Sequence, residues 1–444
     1  MQSVREHPGR IAVPARATMR RATMASYVGS TIEYYDFFIY GTAAALVFPV
    51  VFFPHLGPTM GTVASLGSFA SAFLARPVGA AFFGHMGDRI GRKRTLVITL
   101  LMMGLATVGV GLIPATASIG LAAPALLIAL RLIQGFAVGG EWAGAALLCA
   151  ESAPREKRSY ACMFIQLGLG SALVLANLVF LLAHTLLGTA STAFLEWGWR
   201  IPFLLSAVLL GTAVYIRLKV DETAVFTEAP ERPIEVPILQ LLRRQATELL
   251  LAVGVMSGLF MLAFQAGTYF TTLAHRQAGI SRTDIFVVGV LGGLATVALV
   301  FASATLSRRI GARRTIAAGF ALAVPWSFVV IPMIETGEPL LYGLAIVVTY
   351  AITGIVMGPM ASFIPGIFAF DYRYTGTAMT SNLAGIAGGA IPPVLSPVLM
   401  SAHGSGAIAV MMAGFCAVSL LSVLLLRHHD QDADQDGVLA CARR

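Results

Sequence analysis

The chain has 444 residues, of which 57% are hydrophobic and 12% charged, and its formal net charge is +8. A soluble domain carries roughly 25% charged residues, so this composition excludes a water-soluble globule and assigns the chain to lipid. Four cysteines, Cys149, Cys162, Cys416 and Cys441, have spacings that fit neither a disulfide framework nor a metal site.

A membrane-crossing helix needs ~20 apolar residues. Such stretches recur at 23–53, 60–83, 95–113, 121–150, 160–187 and 200–217, then at 247–274, 284–306, 315–334, 340–369, 376–402 and 406–427, which predicts twelve spans. Residues 1–22 are Arg-rich, but no short apolar core with a small-residue cleavage site follows them. Span 1 is therefore read as a retained helix after a cytoplasmic tail, not as a signal peptide. Residues 218–246 form the one long polar stretch between spans and divide them six and six. The domain reading is thus a tail at 1–22, bundles at 23–217 and 247–427 joined by a cytoplasmic linker at 218–246, and a tail at 428–444.

All but five of the 30 Lys and Arg fall on one side, in the two tails, the linker and the loops after spans 2, 4, 8 and 10. By the positive-inside rule both termini face the cytoplasm, placing a multi-pass protein in the cell (inner, cytoplasmic) membrane. The basic excess reads as topology and as contact with anionic lipid, with no nucleic-acid partner.

The exceptions are Arg200, Arg276 and Arg282 on the opposite side, and Arg76 and Arg131 inside spans 2 and 4. Span 1 adds Glu33 and Asp36, and span 4 adds Glu141. Deep ionisable residues mark a functional, water-accessible chamber. Counting ~1.5 Å per residue sets Asp36 and Arg131 at mid-membrane and Glu33 level with Arg76. The expected pairs are Asp36 with Arg131 and Glu33 with Arg76. Glu33, Asp36 and Tyr40, at i, i+3 and i+7, share a helix face. Two carboxylates so close do not readily both ionise, so one of them can carry a proton as the chamber opens to either side. The choice of carrier stays open among Asp36, Glu33 and Glu141, against a static ion-pair network that only locks helices.

Arg131 is the leading candidate for gripping a substrate carboxylate, because a guanidinium matches a carboxylate bidentately. Arg76 is the second. Gln134 shares the Arg131 face, while Gly135, Gly139, Gly140 and Gly144 give small-residue spacings suited to helix packing. Uncharged candidates for substrate contact are Tyr40, Gln166, Gln265, Tyr269, Tyr350 and Asn382, each also suited to a helix–helix hydrogen bond.

The halves echo each other: RIGRKR at 89–94 matches RIGARR at 309–314. Duplicated six-helix halves are the trace of a rocking transporter. The loop GHMGDRIGRKR (84–94) resembles the signature loop of the major facilitator superfamily. IEYYDFFIYG (32–41), ARPVGA (75–80), RLIQGFAVGGEW (131–142) and EWGWRIPFLLS (196–206) resemble its metabolite:proton symporter family, with the shikimate-transporter-like branch nearest. The resemblance implies an all-α membrane protein of twelve helices in two pseudo-symmetric six-helix bundles. Helices 1, 4, 7 and 10 would line a central cavity and 3, 6, 9 and 12 would face lipid. It also implies a monomer that takes up a small organic acid or zwitterion with protons, needing no cofactor or metal because the proton gradient drives it. Asp88, Arg89, Gly91 and Arg92, with Glu151, Arg155, Asp371 and Arg373, would form a cytoplasmic latch between the halves. Arg308 stands where the second-half loop usually has Asp, so that latch is expected to be rewired.

Three alternatives compete. Drug–proton antiporters of the superfamily carry a Gly-Pro motif in span 5, which is absent here, so uptake is preferred over efflux. A membrane enzyme would need a nucleophile–base pair or ligand cluster inside the spans, and none is present in the sequence. A non-transporting sensor would share the fold.

Overall fold

The computed structural model describes residues 16–90, 92–139, 141, 158–188, 192–219, 237–369 and 372–426, with a few side chains left undescribed within them. In hydrocarbon every backbone amide must bond within its own segment, and the described chain answers with helices. The first half contains α1 (Arg16–Leu46), α2 (Gly57–Ile90), α3 (Arg92–Leu112), α4 (Ala122–Val138), α5 (Arg158–Leu186) and α6 (Ile201–Lys219). The second contains α7 (Ala246–Arg276), α8 (Arg282–Ile310), α9 (Ala312–Glu335), α10 (Pro339–Met357), α11 (Arg373–His403) and α12 (Ser405–Leu425). These are the twelve spans read from the sequence. Ten of them are long and apolar enough to cross a bilayer on those grounds alone. The other two are α1, which bears two acids and four tyrosines, and α4, whose described part is short. A short amphipathic helix, Pro237–Arg244, leads into α7.

Small residues set the closest helix contacts. A methyl group on Gly135 would stand 2.0 Å from the Ala72 carbonyl oxygen, and one on Gly139 2.1 Å from that of Arg76, so α4 lies directly on the α2 backbone. The same device recurs in the second half. A methyl group on Gly354 of α10, or on Gly358 at its C-terminal cap, would stand 2.9 Å and 2.7 Å from the Thr296 and Val300 carbonyl oxygens on α8. The i, i+4 glycine pairs sit at equivalent places in the two bundles, which makes the pseudo-symmetry visible in packing as well as in the loops.

These contacts give a graded prediction. Gly135→Ala drives a methyl into backbone that cannot rotate away, and overpacking of this kind costs about 1–3 kcal/mol. Gly354→Ala meets a nearest atom almost 1 Å further off and costs less. Melting of the purified protein in detergent should fall by several degrees for Gly135→Ala and by less for Gly354→Ala. Equal melting of the two variants would contradict the packing described.

Across the halves, α5 and α8 meet at Gly170 and Gly293, and α2 meets α11 where Phe73 lies against Gly385 and Gly389. Outward faces carry apolar side chains, among them Leu105 on α3, Val208 on α6, Leu322 and Phe328 on α9, and Val418 and Leu425 on α12.

Candidate functional site

The deep charges gather inside the first bundle. Arg131 is fully buried and its guanidinium is walled by aromatic rings, with its central carbon 4.1 Å from the centre of Tyr40, 4.5 Å from Phe37 and 5.1 Å from Phe69. Its Nη1 donates to Gln134 Oε1 (3.1 Å) and its Nε reaches the Phe69 carbonyl (3.5 Å), while Nη2 has no hydrogen-bond partner. Arg131 contacts no carboxylate among the described residues.

Arg76 differs. Its Nη2 stands 3.6 Å from Glu33 Oε1, and Glu141 lies within its electrostatic range. Its guanidinium also rests against Phe37 (4.5 Å) and Phe73 (4.8 Å), so the Phe37 ring touches both arginines. Pro77, next in α2, leaves the helix unbroken through this level.

Asp36 corrects one expectation. It makes no ion pair with Arg131; its Oδ2 accepts from Thr107 Oγ (2.7 Å) on α3 and its Oδ1 from Ser206 Oγ (3.1 Å) on α6. The link to Arg131 is indirect, because Gln134 Nε2 donates to the same Thr107 oxygen (2.6 Å). The span 1 acids also find different partners: Glu33 meets Arg76 on α2, and Asp36 meets hydroxyls on α3 and α6. Tyr40 donates to Ser68 (2.9 Å) and presents its ring to Arg131. The helices expected only to face lipid thus supply the hydroxyls that hold Asp36.

The open chamber expected around these charges is closed. Glu33, Asp36, Arg76, Arg131 and Glu141 are all no more than 7% exposed. Phe264 from α7 packs onto the rings around them, its ring centre 5.3–6.1 Å from those of Phe37, Phe69 and Phe73. The conformation is one in which the charged cluster is occluded. Phe264 immediately precedes a π-helical turn, Gln265–Tyr269, and a second π-helix at Gly385–Ala390 on α11 faces the same rings. Such turns gather at functional sites.

The uncharged candidates divide. Gln166 donates to the Met357 carbonyl (3.0 Å) and Asn382 to that of Gly139 (2.7 Å), so both tie the halves together. Gln265 donates to Ser396 (2.6 Å) and keeps a buried Oε1 without a partner, as does the Tyr269 hydroxyl, while Tyr350 reaches the Ala263 carbonyl at 3.5 Å. The side chains of Asp88, Arg89 and Arg92, and the whole of Gly91, Glu151, Arg155 and Asp371, lie outside the described residues; Arg373 begins α11, half-buried. The site also contains residues that sequence reasoning missed: Thr107, Ser206, Ser68 and the ring set Phe37, Phe69, Phe73 and Phe264.

The family model of the Major Facilitator Superfamily matches residues 28–392. The chain belongs to that superfamily. It is 36% identical over 412 residues to the inner membrane metabolite transport protein YhjE of Escherichia coli, covering 91% of this chain and 93% of that protein. It is 33% identical to the shikimate transporter of Escherichia coli (92% and 94% covered) and 30% identical to the proline/betaine transporter of Salmonella typhimurium (87% and 79%). With these relatives it sits in the metabolite:proton symporter branch that its motifs resemble. The crystal structure of a D-xylose–proton symporter superposes with a TM-score of 0.71 at 15% identity, covering 92% of this chain and 97% of that one, a likeness of fold alone. This facilitator is a multi-pass membrane transporter and not an enzyme.

Proposed function

We propose that the transporter takes up a small organic acid or zwitterion together with protons, that Arg131 binds the substrate carboxylate and that Asp36 carries the proton. One observation carries the reading: a guanidinium buried mid-bundle touches no carboxylate and keeps Nη2 bare. A buried charge without its counter-ion costs several kcal/mol, so it persists where a passing anion completes it. The bare Nη2 beside the occupied Nη1 leaves a donor for one carboxylate oxygen on the fork.

Glu33 already has Arg76 for a partner, whereas Asp36 is held by hydroxyls only. Hydroxyls can serve a carboxyl group in either protonation state, and this supports Asp36 as the carrier. Substrate arriving at Arg131 while Asp36 is protonated brings one negative charge as another is removed, so the rings can enclose the cargo without changing the net charge of the cluster. Relatives named for shikimate and for proline and betaine support a substrate bearing a carboxylate, since each of those molecules has one. The unbroken α5, without Gly-Pro, favours uptake. The bacterial inner membrane, cytoplasmic termini, paired bundles at 23–217 and 247–427, monomeric action and a latch built on Asp88, Arg89, Gly91, Arg92, Glu151, Arg155, Asp371 and Arg373 belong to the same proposal.

The test is uptake by purified protein in liposomes across a panel of organic acids and zwitterions, with and without a protonophore. Concentrative uptake of one such compound should collapse with the protonophore. Asp36→Asn should lose that concentrative component while downhill exchange persists. A variant whose uptake keeps its normal dependence on the proton gradient would remove Asp36 from the carrier role.

A further inference from the structure

We infer that Thr107 is the positioning residue that lets Asp36 change protonation inside a buried cradle and relays that change to Arg131. The inference rests on the proposed function, and deepens it.

The hydroxyl of Thr107 has one hydrogen but two acceptors within reach, Asp36 Oδ2 at 2.7 Å and the Met103 carbonyl one turn back at 3.0 Å. Its oxygen meanwhile accepts from Gln134 Nε2. A hydroxyl oxygen has two lone pairs, so one remains. When Asp36 is ionised, the Thr107 hydrogen points to Oδ2. When Asp36 is protonated, its new O–H donates to the spare lone pair, and the Thr107 hydrogen turns to Met103. Every donor and acceptor is satisfied in both states, and no side chain has to move. Ser206 repeats the arrangement on the other carboxyl oxygen, choosing between Asp36 Oδ1 at 3.1 Å and the Pro202 carbonyl at 3.4 Å.

Burial makes this arrangement matter. Asp36, Thr107 and Ser206 are each no more than 2% exposed, and an unsatisfied buried acceptor is expensive. The charged and titratable groups within electrostatic range of Asp36 are Arg131 on α4, Glu141 beyond the end of that helix and Tyr35 on α1. The helices that hold the carboxyl, α3 and α6, contribute hydroxyls alone. The swap leaves Gln134 Nε2 on its own lone pair but changes the acceptor to which Thr107 donates, from a carboxylate to a neutral carbonyl; the bonds of a chain polarise one another, and Gln134 Oε1 is what grips Arg131 Nη1. Protonation at Asp36 is thereby felt at the guanidinium through two side chains.

The experiment compares Thr107→Val and Thr107→Ser with the unaltered protein in liposomes. It measures gradient-driven accumulation, substrate exchange at equal pH on both sides, and the pH profile of exchange. Removing a hydrogen bond to a charged group is a factor of about ten or more. Thr107→Val should therefore lower accumulation at least about tenfold while exchange falls less than about threefold, and should displace the pH profile by about one unit. Thr107→Ser, which keeps the hydroxyl, should restore both. Thr107→Val with unaltered accumulation and pH profile overturns the inference. So does a parallel fall of accumulation and exchange that serine does not rescue. If the valine variant fails to fold, Thr107→Ala is judged on the same readouts. Accumulation by the unaltered protein that ignores a protonophore is a separate outcome, which strikes the proton-coupled reading itself.

Discussion

Arg131→Lys is expected to reduce uptake by at least about a hundredfold, although the positive charge is kept. The guanidinium does three things at once that an ammonium cannot. Nη1 is spent on Gln134, Nε faces the Phe69 carbonyl, and the flat face lies against Tyr40 and Phe37, all of which orient the remaining Nη2. A lysine would offer a point charge that is more strongly hydrated and lacks the rigid fork, so the substrate carboxylate would lose its fixed donor. Charge-assisted bonds contribute about 1.5–3 kcal/mol each, and forfeiting one, together with the orientation of the site, reaches the two powers of ten expected. Arg76→Lys provides the contrast. Arg76 meets Glu33 at 3.6 Å as a charge near a charge, a contact lysine can imitate, so uptake should fall by no more than about tenfold. Uptake kinetics on matched liposomes would show the difference as a rise in KM for Arg131→Lys. Retention of uptake within about threefold would show that no carboxylate depends on the fork.

How far this site could be read beforehand follows from what a sequence encodes. Depth was legible, because residues advance along a helix by a fixed rise, and Glu33 does stand beside Arg76. Azimuth was not. Whether Asp36 looks at Arg131 or away from it depends on how α1 is rotated against α3 and α6, and that rotation is set by packing over several helices. Thr107 and Ser206 gave no signal because each also bonds the carbonyl four residues back, as an ordinary hydroxyl in a membrane helix does. The rings were equally mute: Phe37, Phe69, Phe73 and Phe264 are four of 26 phenylalanines in a chain where apolar residues are everywhere. The fold was far more visible, since twelve apolar stretches and a loop repeated between halves need no knowledge of azimuth. Of the spans described at full length, α1 blurred the pattern, and it did so because the acids that mark the site dilute its apolar character.

The second large effect separates occlusion from binding. Gly293→Trp is expected to abolish both uptake and exchange, by about a hundredfold or more, while substrate binding to the purified protein stays within about threefold. On α8, a methyl at Gly293 would already stand 2.8 Å from the Gly170 carbonyl oxygen and 2.7 Å from Val174; on α5, one at Gly170 would meet Val297 at 2.8 Å. The two glycines face each other across the halves, and an indole has no place between them. The occluded arrangement, with Phe264 over the arginines, therefore becomes inaccessible, whereas an open arrangement with α5 and α8 apart is not penalised. Alternating access must pass through occlusion, so a protein held open binds its substrate and cannot carry it. Gly293→Ala, with a single methyl to accommodate, should lose only about threefold to tenfold in rate. Arg131 lies in the first bundle away from this contact, so the two variants should fail in opposite ways. Lysine at 131 leaves the cycle free to run with little to carry, and tryptophan at 293 leaves the cargo bound with no closed state to enter. If the tryptophan variant transports normally, the contact of α5 with α8 is not part of the cycle. If it loses binding as well, the binding site and this helix contact are one structure rather than two.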